Sequence, residues 1–198
     1  MSVSFVLGNG TSRLGINHKL LNEYGTVYGC NALYREFSPD YLVAVDSKMI
    51  FEIHSKGYQH RGNVWTNRNK IYKNFEGFNY FEKSKGWSSG PTALHLASTH
   101  APKVVYILGF DYAGLQDGKL LNNVYADTEN YKKSSDKATY HGNWLRQTAT
   151  VIKENQNISY FRVIQSDNII PEQLNNFVNL KHIIVEDFHK IFPKSANF

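Results

Sequence analysis

Short apolar runs alternate with segments of helical periodicity along the chain, and that alternation predicts strand–helix–strand units building a mostly parallel sheet. Val3–Leu7 reads as a first buried strand, since its residues are largely apolar and a Gly-rich turn follows. Thr26–Gly29, Tyr41–Val45 and Val104–Leu108 read the same way, the last being the strongest strand pattern of the chain. Asn63–Thr66 and Tyr160–Val163 add shorter strands. Helices are expected over Asn17–Glu23, with Leu20 and Leu21 inward, and over Lys48–Ser55, Thr92–Thr99 and Gly142–Asn155. Ser88-Ser89-Gly90-Pro91 supplies the start of the third, because serine then proline suits a first helical turn. Asn67–Lys85 is polar, aromatic and aperiodic and predicts a loop; Tyr112–Tyr140 predicts another. The tail beyond Pro171 is mixed and is assigned no element. The expected fold class is α/β: a single Rossmann-like domain over residues 1–198, its central sheet flanked by helices, with a small lid over residues 112–141.

Composition narrows the setting. Of 198 residues, 41% are hydrophobic and 14% aromatic, which excludes a disordered chain. No apolar run approaches the roughly 18 residues of a membrane helix. Met1–Leu7 has no basic leader and does not read as a signal peptide. Cys30 stands alone, so an intrachain disulfide and a four-cysteine zinc site are both excluded, and a reducing cytoplasm is the default compartment. A formal charge of +5 favours anionic partners, whether nucleotides, phosphates or nucleic acid. The cations are spread out, with one mild cluster from Arg61 to Lys73. There Trp65, Tyr72 and Phe75 interleave with the charges, a mixture more typical of a packed loop than of a nucleic-acid surface.

The chemistry gathers at strand ends. In an open parallel sheet these lie along one edge, where ligands bind. That edge presents Gly8-Asn9-Gly10-Thr11-Ser12, then Asn31, Asp46 and Asp111, with Ser89 and Gly90 opening a helix nearby. Gly8-Asn9-Gly10 follows a strand and precedes a helix, the context for a backbone cradle around phosphate or ribose. Arg13 occupies the third glycine position of a dinucleotide fingerprint, and no acid ends the second strand, which argues against NAD. The lysine signature of phosphate-loop NTPases is absent too. Asp46 suits either a ribose hydroxyl or magnesium, or else caps the helix beginning at Ser47. Asp111 reads as a ligand contact or as an acid tying down the next loop. His141, at a helix start after a long loop, has the chemistry of a general base. No histidine pair has metalloprotease spacing, and no metal site is assigned.

Leu7-Gly8-Asn9-Gly10-Thr11-Ser12, Gly29-Cys30-Asn31-Ala32-Leu33-Tyr34, Ser89-Gly90 and Tyr106-Ile107-Leu108-Gly109-Phe110-Asp111 resemble, in order, motifs of the bacterial CMP-sialic-acid-dependent sialyltransferases that modify lipooligosaccharide. The layout also resembles hydroxymethylpterin diphosphokinase-like proteins of archaea, to which Pro39–Asp46 is closer. The resemblance covers roughly residues 4–165. It implies that Asn9, Gly10, Asn31 and Ser89 contact a nucleotide, and that His141 approximates the base that deprotonates an acceptor hydroxyl. The chain departs from the sialyltransferase pattern at the leaving-group tyrosine. Ala113 holds that position, Tyr112 lies one residue early, and Tyr125 is the other hydroxyl in reach along the loop. Gly86-Trp87-Ser88 replaces an arginine, and Asp46 stands where that family has asparagine.

Three expectations follow. The first is a nucleotide-sugar-dependent, sialyltransferase-like glycosyltransferase, with the donor on Gly8–Ser12, His141 as base and Tyr112 or Tyr125 assisting phosphate departure. The second is a pyrophosphokinase-like enzyme using Mg-ATP, with Asp46 and Asp111 holding the magnesium. The third is a nucleotide-binding or interaction module that has kept the fold without the reaction. Nucleotide base, sugar, glycan acceptor and homo-oligomerisation stay open.

Overall fold

The computed structural model describes residues 2–196. Its centre is one sheet of eight strands in the order β5-β4-β3-β2-β1-β6-β7-β8, in which every pairing is parallel. The strands are β1 (Val3–Leu7), β2 (Thr26–Cys30), β3 (Tyr41–Val43), β4 (Val64–Thr66), β5 (Phe78–Tyr80), β6 (Val104–Leu108), β7 (Ser159–Ile164) and β8 (Leu180–Ile184). The helices are α1 (Ser47–Ser55), α2 (Ser89–Thr99), α3 (Leu115–Gly118), α4 (Gly142–Glu154) and α5 (Val185–Ile191). This is the α/β, Rossmann-like architecture expected, parallel throughout rather than mostly so.

The central strands are apolar on both faces because both faces are covered. Along β1, Phe5 and Leu7 enter one core while Val6 enters the other; along β6, Tyr106 and Leu108 alternate with Val105 and Ile107 in the same sense. Residues of α2 and α4, among them Ala93, Leu94, Leu145 and Val151, close the Val6 face. The opposite face carries α1 and α5. Phe188 of α5 and nearby Phe192 meet Tyr106 edge-on at centroid distances of 5.6 and 4.9 Å. Edge-on aromatic pairs of this kind add about 1 kcal/mol beyond area burial.

Three expectations change. Asn67–Lys85 is not wholly loop: Phe78–Tyr80 forms the outermost strand, with Phe78 buried and Asn79 exposed. Three residues give too little periodicity to show it. The unassigned tail holds β8 and α5 and completes the other end of the sheet. The expected helix over Asn17–Glu23 is a tight 3-10 segment, His18–Glu23. In the basic-aromatic stretch Tyr72 is buried and Trp65 packs on Phe81 at 5.2 Å.

Successive crossovers run outward from β1 in one direction to β5, and from β6 in the other to β8. The order therefore reverses between β1 and β6, and a crevice opens there at the strands' carboxyl ends. Among the described residues no helix is long and apolar enough to cross a membrane.

Candidate functional site

The crevice is built by close approach of two loops. Gly8 N–H donates to Leu108 O and Gly10 N–H to Gly109 O, each at 2.8 Å. A Cβ on Gly8 would stand 2.6 Å from Gly109 O, and one on Gly10 would stand 2.5 Å from the Asp111 carboxyl. Glycine at these two positions is thus a packing requirement, and it leaves the loop backbone facing the space beyond. Arg13, in place of the third glycine, turns back and donates from Nε to Gly8 O at 3.0 Å and from Nη2 to Glu36 at 2.7 Å. Its buried guanidinium staples the loop from behind.

Above the crevice lies a cavity of about 370 Å³, within the range of small-ligand sites. Gly8, Asn9, Gly10, Asn31, Asp46, Ser89, Gly90, Asp111, Tyr112 and His141 all line it. Thr11, Ser12 and Tyr125 do not. The Thr11 N–H donates to Asn122 Oδ1 at 2.8 Å, and the Ser12 hydroxyl is spent on Asp111. The Tyr125 hydroxyl accepts from Arg13 Nη2 at 2.8 Å and donates to Glu36, behind the loop.

Asp111 is held by three donors: Ser12 Oγ on Oδ1, and the Ser12 N–H and Asn122 Nδ2 on Oδ2, the latter two at 3.0 Å. These take about three of a carboxylate's roughly four acceptor positions. Arg162 of β7, buried, fixes the same corner from the other side, donating to Phe110 O at 2.7 Å and Asp111 O at 3.1 Å. The chain then turns through Tyr112 at φ 55°. Tyr112 lines the cavity, yet its hydroxyl donates to Thr148 Oγ1 of α4 at 2.6 Å, and burial pushes its pKa up.

The other side of the cavity is less committed. Asn31 sits at φ 53°, and its buried Oδ1 has no hydrogen-bond partner. Asp46 occupies the N-cap position of α1 without making a side-chain cap bond. Among the described residues its carboxylate meets no hydrogen-bond donor or cation. Although it opens on the cavity, partial desolvation by the walls raises its pKa above the ordinary aspartate value. Cys30, beneath, is an inert thiol pushed up to about 12 by burial.

Ser89 and Gly90 form the first turn of α2, where amide N–H groups lack intrahelical acceptors and the helix dipole favours an anion. The Ser89 Oγ accepts the Val45 N–H at 3.1 Å, which locks that helix start to the end of β3. His141 is the N-cap of α4, makes no side-chain cap bond, and has its ring 6.2 Å from that of exposed Tyr140.

The segment expected to be a lid is tied down across its middle. Val124 N–H donates to Asn9 O at 2.8 Å, Arg35 holds Thr128 Oγ1 and Glu129 O at 2.9 Å, and Asn130 Nδ2 donates to Glu52 at 2.7 Å. It forms a wall. This wall brings in Asn122, Asn130, Tyr131 and Lys132, and α4 adds Trp144, none of which was picked out from the sequence. The paired amides Asn122-Asn123 in a polar loop were the only local signal.

With Asp111 committed to the protein, Asp46 is the one acid left free for a cation, and among the described residues no three metal-ligating side chains cluster. No family model matches the chain, and neither do any curated protein or solved structure.

Proposed function

We propose that this protein binds a mononucleotide-type donor at the β1–β6 switch point and acts as a nucleotide-sugar-dependent glycosyltransferase of sialyltransferase-like type. The observation that carries this reading is convergence. Gly8–Gly10, Asn31, Asp46, the α2 start and His141 come from five separate stretches of sequence and share one cavity. The α2 amides at Ser89 and Gly90 suit the donor's phosphate. Asn9 and Asn31 suit neutral polar groups of base, ribose or sugar, and the orphaned Asn31 Oδ1 is an acceptor awaiting a donor. Glycosyl transfer also needs a group to take the acceptor's proton. His141, the base implied by the resemblance, and Asp46 both line the cavity, and among the described residues neither side chain has a hydrogen-bond partner.

Tyr112 and Tyr125 are poorly placed to assist phosphate departure, because each hydroxyl is already bonded inside the protein. Lys132, the one lysine on the cavity wall, can offset charge on the leaving phosphate.

The test is ligand-observed NMR and thermal-shift titration with CMP, UDP, GDP and ATP. At least one nucleoside phosphate should bind, and Ser89→Asp, which sets a carboxylate against the phosphate, should weaken that binding at least tenfold. A well-folded protein indifferent to all four would end the proposal.

A further inference from the structure

We propose that Asp46 is the base that takes the proton from the acceptor hydroxyl, a step that rests on the glycosyl-transfer reading above. The geometry that points there is a second chamber, of about 310 Å³, beside the first. The two chambers share Asn31, Asp46, Asn130 and Tyr131, so these residues stand at the boundary where they adjoin. Beyond that boundary the second chamber is walled by Lys48 and Met49 at the start of α1. His141 lines the first chamber but not the second. In the arrangement proposed, the donor lies along the strand ends and an acceptor in the second chamber meets it at that boundary, where its reacting hydroxyl reaches Asp46.

The Asp46 carboxylate is available for this. It stands where an aspartate ordinarily caps a helix, yet it makes no cap bond, and no ion pair or hydrogen bond among the described residues engages it. Asp111, the other acid of the cavity, is consumed by Ser12 and Asn122. The walls that desolvate Asp46 also make it a stronger base than an aspartate in water.

In the step itself, the acceptor oxygen forms a bond to the anomeric carbon of the nucleotide sugar as its proton passes to an Asp46 oxygen. The bond from that carbon to the phosphate oxygen breaks, and its electron pair leaves with the nucleotide. The proton on Asp46 is returned to solvent after the products depart.

The experiment compares wild type with Asp46→Asn and His141→Asn, using a panel of CMP-, UDP- and GDP-sugars. Water and lactose serve as hydroxyl acceptors, nucleotide release is the rate readout, and nucleotide binding is measured by NMR in parallel. Losing a general base costs roughly 100-fold or more. Asp46→Asn should therefore slow release at least 100-fold while nucleotide affinity stays within threefold, and His141→Asn should slow it less than tenfold. An Asp46→Asn rate within threefold of wild type, or a 100-fold loss confined to His141→Asn, overturns the assignment. Nucleotide binding by a wild type that releases nothing from any sugar overturns it too and leaves the nucleotide site standing. Absence of nucleotide binding removes the glycosyl-transfer reading itself.

Discussion

Asp111 and Asp46 both follow strands of one sheet, β6 and β3, on one cavity, and their surroundings are opposite. Asp111 is 6% exposed and is the hub of a network joining the β1 loop, the β6 loop and the Asn122 wall. Asp46 is open to the cavity and engages nothing. A position after a parallel strand places a carboxylate on the ligand edge, but its partners decide whether it serves the fold or the ligand. On the β1–β6 side hydrogen bonds are closed within the protein. On the β2–β3 side the Asp46 carboxylate and Asn31 Oδ1 have no hydrogen-bond partner among the described residues.

The sharpest way to break this contrast is to delete each acid. Asp111→Ala strands the buried Ser12 amide and hydroxyl and takes one of two acceptors from Asn122 Nδ2, and buried donors without partners cost about 1–3 kcal/mol each. A loss of about 3 kcal/mol or more is expected in urea unfolding. Asp46→Ala should stay within about 0.5 kcal/mol of wild type in the same assay, as for a residue without structural partners. Equal losses would erase the distinction.

Next in size is Gly8→Ala, whose methyl would press on Gly109 O and, at 2.8 Å, on the Phe110 ring. Overpacking of this kind costs about 1–3 kcal/mol. Because the change parts the β1 and β6 loops, nucleotide affinity should fall with stability. A fully stable variant would show that the two loops are not tightly apposed.

A smaller effect concerns how the open side is held. Burial alone would raise the Glu52 pKa, but hydrogen bonds from Arg35, Tyr34, Asn130 and Lys56 outweigh it and hold the carboxyl at about 2. A depressed folded pKa contributes stability above the unfolded value of about 4.3, and this contribution is lost as pH falls from there toward about 2. Unfolding measured between pH 5 and 2 should therefore be less pH-dependent in Glu52→Gln than in wild type. Parallel pH profiles would remove Glu52 as the anchor of the Asn130 wall.

How legible the fold was depended on burial. The central strands β1, β2, β3 and β6 carry apolar runs because both faces are covered. The edge strands β5 and β8 interpose exposed Asn79 and Lys181, and so look like loop. Helix α5, with Phe188 and the following Phe192, hides in a tail whose pattern has meaning only against Phe5 and Tyr106. In the site, Gly8, Asn9, Gly10, Asn31, Ser89 and Gly90 were readable as polar or small residues where an apolar strand stops or a helix begins. Asn122 and Asn130 were not, since their placement comes from bonds to Thr11 and Glu52, far away in sequence.

By itself, then, the sequence determined that strands alternate with helices, that their ends form a polar edge, and that a glycine-rich turn follows β1. Those are consequences of local periodicity and of side-chain size. Only the tertiary structure decided that the neighbour is β6, that Asp111, Ser12 and Tyr125 turn into the protein, and that Asp46 is left open between two chambers. Hydrogen-bond partners are chosen in space, and no spacing along the chain records which polar groups find one another.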